Sequence, residues 1–260
     1  MTSSPPPIAE LRAVTQPESL LERNSGEHWA GRLYMRRLSP HVTRWLVATP
    51  ISANGVTWLM VMAGVLAGGS LSLGGVLGAL GAFALIQAQL LLDCCDGEVA
   101  RWRGTSSPVG IYLDRIAHHV TEVALPIGLG VRADGGWDSI GGWTTLSLVL
   151  AILVLFIKAE SHLVQVARVE AGRPVVVDRP EVAAPRGRRL RRIRQTLRYL
   201  PFFRAFVAVE ATILALAAAV VDAVAGDHSG SRALLVGLLV AGALTVAGHL
   251  VAILASDRLR

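Results

Sequence analysis

Asp93, Asp96, Asp114 and His118 stand within residues 93–118, inside a stretch that is otherwise largely apolar. On a helix, at about 100° per residue, Asp93, Asp96, Gly97, Ala100 and Arg101 share one face, within an arc of roughly 140°. Gly110, Asp114, His118 and Glu122 follow at i, i+4 spacing and line the face of a second helix. Ser106-Ser107-Pro108 reads as a short turn that sets the two helices antiparallel, so the two acidic stripes can meet. An ionisable group near mid-bilayer costs roughly 3 kcal/mol, and three aspartates without partners cost on the order of 9 kcal/mol, so something must offset them. Converging carboxylates with one imidazole suit Mg2+ or Mn2+ and are a poor pattern for structural zinc. Two such ions can be bridged there. The plainer alternative is that Asp93, Asp96 and Asp114 pair with Arg101, Arg103 and Arg115, which leaves the glycine and alanine spacing unexplained.

The elements that must hold these faces are membrane helices. Of 260 residues 52% are hydrophobic and 17% charged, with a mean hydropathy of +0.50, which excludes an ordinary soluble domain. Six blocks, near residues 50–69, 74–99, 109–131, 139–160, 202–223 and 233–254, are long enough to cross a bilayer, so the fold class is an all-α integral membrane protein with six transmembrane helices. Arg32, Arg36, Arg37, Arg44, Arg101, Arg103, the cluster from Arg186 to Arg198, Arg258 and Arg260 fall on one side of these spans, against Arg132 and Arg232 on the other. Positive residues in short loops stay inside, so both termini are expected to be cytoplasmic. Trp29, Leu33, Leu38 and Trp45 alternate with basic residues as in an amphipathic helix on the inner membrane surface, a solvated linker being the alternative. Residues 1–27 are polar and expected to be disordered, which leaves residues 28–260 as the membrane domain. No cleaved signal peptide is expected, since the first apolar block starts late. The adjacent Cys94 and Cys95 cannot easily staple the chain, because neighbouring side chains diverge on a helix. The arginine cluster lacks interleaved aromatic residues, so anionic lipid is its expected partner and no nucleic acid is. The bias to Ala, Gly and Arg, with Lys158 as the single lysine, suggests a GC-rich bacterial genome and hence a bacterial inner membrane.

The run Asp93-x2-Asp96-Gly97-x2-Ala100-Arg101-x8-Gly110-x3-Asp114-x3-His118 resembles the signature of the CDP-alcohol phosphotransferase family. Ile51-Ser52-Ala53-Asn54-x2-Thr57 is similar to the family's Pro-Asn-x2-Thr opening, with Ala53 where proline is usual. The resemblance covers roughly residue 28 to the C-terminus. It implies transfer of a phosphoalcohol group from a CDP-alcohol donor, CDP-diacylglycerol foremost, to an acceptor hydroxyl with release of CMP. It also implies that Asp93, Asp96, Asp114 and His118 hold two Mg2+ or Mn2+ ions. Asn54, Thr57, Asp93, Gly97, Ala100, Arg101 and Gly110 would bind the nucleotide, the small residues by letting cytidine approach closely. A homodimer is implied in the same way.

His118 departs from the pattern, because the family has a fourth aspartate there, regarded as the base that deprotonates the acceptor. A neutral imidazole can take a proton and can ligate a metal through nitrogen, which tilts preference from Mg2+ toward Mn2+. Three readings follow: His118 is the base, Glu122 one turn on replaces the carboxylate, or the reaction is lost and a catalytically silent nucleotide- or lipid-binding protein remains. His119 points about 100° away and reads as a helix-surface residue. For the acceptor, Lys158 and His162 lie one turn apart, with Arg168 and Arg204 in the same region, and can receive a phosphorylated polyol such as glycerol phosphate or an inositol phosphate. Equally, these cations can be snorkelling anchors. Glu210 and His249 are further polar intrusions, read as a buried carboxylate and a packing histidine. A small ion-coupled transporter is the rival from another class, since intramembrane carboxylates also mark ion paths.

Overall fold

The computed structural model describes residues 4–17, 29–174 and 205–259. Helix α1 is Ile8–Thr15, and α2 is Arg36–Leu46, entered through a π-helical turn at Gly31–Met35. The long helices are α3 (Ala53–Ser72), α4 (Gly75–Arg103), α5 (Pro108–Asp134), α6 (Gly142–Glu170), α7 (Ala208–Ala225) and α8 (Ser229–Leu254). No strand occurs among the described residues. Among these helices α3, α4, α6, α7 and α8 are long and apolar enough to cross a membrane, in the places where spans are expected. Helix α5 covers the expected span at 109–131 but is less apolar, since Asp114, His118, His119, Glu122 and Arg132 all lie on it. The arginine cluster at 186–198 lies outside the described residues. One expectation needs correction: residues 1–27 are not wholly without structure, because Ile8–Thr15 is helical with Leu11 and Thr15 fully buried.

The described residues fall into two compact units. The first takes the chain up to Ala67 and Gly81–Thr121. Its apolar centre is Val56, Cys95 and Val99, with Val42, Leu46, Val47 and Leu91 packed around them. Helix α2 is amphipathic in an unusual sense: it exposes Leu38 and Trp45 and buries Ser39 and Thr43. The Arg103 guanidinium, at the end of α4, donates to the carbonyls of Leu46, Val47, Thr49 and Ile51. A cation there satisfies carbonyls that the end of α2 leaves without helical partners. This ties the loop before α3 to the last turn of α4.

The second unit takes Gly68–Leu80 and the chain from Glu122 onward. Helix α8 packs on α6 and α7. At the α3–α5 crossing a Cβ placed on Gly128 would lie 2.1 Å from the Gly68 carbonyl oxygen, so the two backbones touch because neither residue has a side chain. Arg132 is buried and bonded on every side. Its Nε donates to Ser231 Oγ at 2.9 Å and to Asp222 Oδ2 at 3.3 Å, and its Nη1 donates to the Gly75 carbonyl at 2.7 Å. Asp222 in turn accepts from the Ser231 N–H at 2.9 Å and the Ser231 hydroxyl at 2.6 Å. One ion pair thereby joins the ends of α5 and α7 to the starts of α4 and α8. Asp134 plays a comparable role at the start of α6, accepting from the backbone N–H groups of Gly141, Trp143 and Thr144 and from the Thr144 hydroxyl.

Removing one member of a buried ion pair strands the other. Arg132→Ala is expected to cost about 3–5 kcal/mol, seen as a lowered unfolding midpoint of the detergent-solubilised protein. An unchanged midpoint would show that Asp222 is not held by this pair. Gly128→Ala is expected to cost about 1–3 kcal/mol through overpacking against the Gly68 backbone, on the same measurement.

Candidate metal and nucleotide site

The two acidic stripes meet because the chain between them is a well-formed helical hairpin. At the end of α4, Gly104 adopts φ +63°, a left-handed conformation that glycine accepts without strain. The Thr105 N–H then reaches the Ala100 carbonyl at 2.9 Å and the Gly104 N–H reaches the Arg101 carbonyl at 3.3 Å, which closes the helix. Ser107 caps α5 by accepting from the Gly110 N–H at 3.2 Å, and Pro108 occupies the first helical position, where its missing N–H costs nothing. Four residues, 104–107, thus bring α4 and α5 side by side in opposite directions.

Across that hairpin His118 Nε2 lies 3.2 Å from Asp93 Oδ1 and 3.5 Å from Asp114 Oδ1. One ligand atom from each of the three residues lies within 4.8 Å of the others, and all three side chains are half-buried. Two carboxylates around one imidazole form a donor set of hard oxygens and a nitrogen, in reach of a common point. That composition and spacing fit a divalent cation, and they fit a closed zinc site poorly.

Asp96 takes a different partner. It is buried, and its Oδ2 accepts from the Thr57 hydroxyl on α3 at 2.7 Å. Asp96 is therefore oriented by α3, while Asp93 and Asp114 are oriented by His118. Asn54 lies one turn before Thr57, and its Oδ1 would be 3.4 Å from a Cβ placed on Gly110. The structure thus gathers Asn54 with Gly110 and Thr57 with Asp96, and the cluster with neither arginine. Arg103 is bonded to the carbonyls after α2, and Arg101 donates from Nε to the Thr15 carbonyl at 2.7 Å. The Arg101 guanidinium lies across Gly97, where an added Cβ would stand 3.1 Å from Nη1. The Arg101 guanidinium thus occupies the space beside Gly97. Ala100 lies on the same helix, and its carbonyl is used in the helix end described above.

Glu98 is a residue that spacing arguments miss. It is fully buried, yet Ser39 Oγ donates to Oε1 at 2.6 Å, Thr43 Oγ1 to Oε2 at 2.6 Å and Gln16 Nε2 to Oε1 at 2.7 Å. The available signal was a glutamate inside an otherwise recognisable motif, but its partners lie 55 to 82 positions away in sequence.

Of the remaining predicted residues, Lys158 Nζ is 2.9 Å from Glu122 Oε1, and Glu122 is buried. The carboxylate considered as a replacement for the missing aspartate is thus matched by the lysine considered for the acceptor. His162 lies on α6 one turn beyond Lys158, and Arg204 is outside the described residues. His119 Nδ1 turns back to the Arg115 carbonyl at 2.6 Å, as befits a helix-surface residue. His249 Nδ1 lies 3.0 Å from Glu160 Oε2, and Glu210 sits half-buried in the first turn of α7.

Comparison with known proteins bears on this arrangement. A stretch of 117 residues is 37% identical to a bifunctional IPC transferase and DIPP synthase of Rubrobacter xylanophilus, covering 41% of this chain and 25% of that relative. The chain thus matches about a quarter of the length of that protein. Residues 50–255, which include α3 to α8 and the whole Asp93–His118 hairpin, match the CDP-alcohol phosphatidyltransferase family. On that match the chain belongs to the CDP-alcohol phosphatidyltransferase family, whose members transfer phosphoalcohol groups from CDP-alcohols.

Proposed function

We propose that the chain is a membrane-embedded transferase that moves a phosphatidyl group from CDP-diacylglycerol to an acceptor hydroxyl, a phosphorylated polyol being the preferred class, and releases CMP. The observation that carries this reading is the meeting of Asp93, Asp114 and His118 at one point in the hairpin. Asp93, Asp96, Asp114 and His118 would hold Mg2+ or Mn2+, two ions in the full site, which would neutralise the donor pyrophosphate and the charge that develops on reaction. Thr57 holds Asp96 in one rotamer, and the α4–α5 turn holds the two stripes in register. Arg101, lying over Gly97, would supply a positive charge on the nucleotide side. In the reaction the acceptor oxygen bonds to the phosphorus that carries the alcohol, the bond to the CMP oxygen breaks, and CMP leaves with the electron pair. His118, as a neutral imidazole between Asp93 and Asp114, would take the proton from the acceptor hydroxyl.

The same reading places α5 as the sixth span. Its 27 residues reach about 40 Å at 1.5 Å each, enough for a core of about 30 Å. Six crossings put both termini on one side, and the arginine distribution makes that side the cytoplasm of a bacterial inner membrane. The outward Leu33, Leu38 and Trp45 support α2 and the turn before it as an element lying on the inner surface. Residues 28–260 then constitute one membrane domain, working as a homodimer. Lys158 belongs to the acceptor region only if its pairing with Glu122 yields to a phosphate.

A second reading has its own observation. His118 replaces a charged ligand with a neutral one, which favours a homologue that binds a cytidine nucleotide without turning it over. Purified protein with radiolabelled CDP-diacylglycerol, Mn2+ or Mg2+, and glycerol phosphate or inositol phosphate separates the two. CMP release lost on chelation is expected, binding without release supports the silent form, and neither outcome would sink both and favour transport. Within the active reading His118→Ala is expected to lower turnover by about 10²–10⁴-fold, and His118→Asp to retain or raise it. A parental rate in the alanine variant would remove His118 from the proton path.

A further inference from the structure

We propose that residues 5–17 form a strap that positions Arg101 and Glu98 on the motif helix, making Gln16 and the buried anchor Leu11 positioning residues for the donor nucleotide. This rests on the proposed function in one respect, that Arg101 faces the nucleotide. The strap itself rests on contacts within the first compact unit.

The segment is fastened at both ends. Near its start the Pro6 carbonyl accepts from Arg44 Nε at 2.8 Å. In the middle Arg12 Nη2 donates to the Arg37 carbonyl at 3.2 Å, and Leu11 is fully buried. At its end Gln16 Nε2 bridges the Glu98 carboxylate at 2.7 Å and the Arg36 carbonyl at 2.9 Å, while the Thr15 carbonyl accepts from Arg101 Nε at 2.7 Å. α1 is only eight residues long and buries a single leucine, Leu11, which is too little to hold it helical in isolation. What keeps it ordered is therefore its bonds to α2 and to the cytoplasmic turn of α4.

Those bonds fall on the part of α4 that matters. An arginine on a helix surface ordinarily samples many rotamers and loses that freedom on binding. Here the Thr15 carbonyl takes Nε, and the planar guanidinium is laid across Gly97 with Nη1 and Nη2 directed over the small residue. Glu98 is the reason the strap can reach so far in. Its buried carboxylate needs several donors to offset desolvation, and Ser39 and Thr43 are joined by Gln16 as the third. The strap thus spends one side-chain amide on Glu98 and one backbone carbonyl on Arg101, and Arg101 is ordered before any nucleotide arrives.

The test uses the full chain in detergent with two variants, Leu11→Asp, which places a charge at the buried anchor, and Gln16→Ala, which removes the bridging donor alone. Amide hydrogen exchange over residues 8–16 and 97–103 reads the strap without any ligand, and the KM for CDP-diacylglycerol against kcat reads its consequence. Faster exchange in both segments is expected, with KM raised about tenfold, kcat within twofold, and the unfolding midpoint of the bundle unchanged. In an Arg101→Ala background the same substitutions should add nothing to KM, since their effect runs through that arginine. Exchange unaltered at 97–103, or full additivity with Arg101→Ala, would overturn the strap. A parent chain that neither binds CMP nor turns over, while exchange at 97–103 still responds to Leu11→Asp, would instead overturn the function and leave the strap standing.

Discussion

A carboxylate taken out of water must be met by donors or by a cation, and this requirement decides where the polar residues of the chain go. The cost of an uncompensated charge in low dielectric is several kcal/mol, a large share of what holds any domain together. The acidic side chains set among these helices meet it in different ways. Glu98 gathers three uncharged donors from α2 and the N-terminal segment. Asp222 takes a buried arginine and a serine. Glu122 takes Lys158, and Asp96 takes the Thr57 hydroxyl. Each of these is a protein answer to a protein problem, and each ties two or more helices together as a by-product.

Asp93 and Asp114 are the exceptions, and on the proposed function they locate the chemistry. Two acceptor-only carboxylates face one imidazole nitrogen, which carries at most one proton to share between them. Arg101 and Arg103, two of the three arginines considered as their partners, are bonded to backbone carbonyls instead. On the proposed function, this group with more acceptors than donors is the arrangement that a divalent cation would complete. The contrast with Glu98 is instructive, because five positions along the same helix the chain supplies donors generously to a carboxylate of the same kind.

Much of this was legible in the sequence, and the parts that were share a property: they are local. The helical stripe of Asp93, Asp96 and Arg101, the Ser106-Ser107-Pro108 turn, and five of the six apolar blocks depend on residues within a few turns of each other. What could not be read depends on partners far apart in the chain. Nothing in the spacing around Glu122 points to Lys158, and nothing in the polar stretch of residues 1–27 points to the buried Glu98 carboxylate that orders part of it. α5 sits between the two cases. Its length reads as a span, but the residues that make it a functional helix are the same ones that lower its hydropathy.

The small residues of the motif show how a correct pattern can carry a different physical reason. The resemblance explains Gly97 by the close approach of a nucleotide, and the structure shows the guanidinium of Arg101 already lying there. The two explanations meet if the arginine is itself the surface that the nucleotide approaches. A Cβ at position 97 would then act indirectly, by lifting the guanidinium off the helix and breaking its bond to the Thr15 carbonyl. On this view the glycine leaves space for a positioned cation, and its effect would reach the ligand through Arg101. Gly110 differs, since its nearest neighbours are the Asn54 amide oxygen at 3.4 Å and the Ser107 hydroxyl at 3.6 Å, ordinary contact distances that leave room for a methyl group. Packing within the chain therefore does not demand glycine at 110, whereas at 97 a side chain would press on the Arg101 guanidinium.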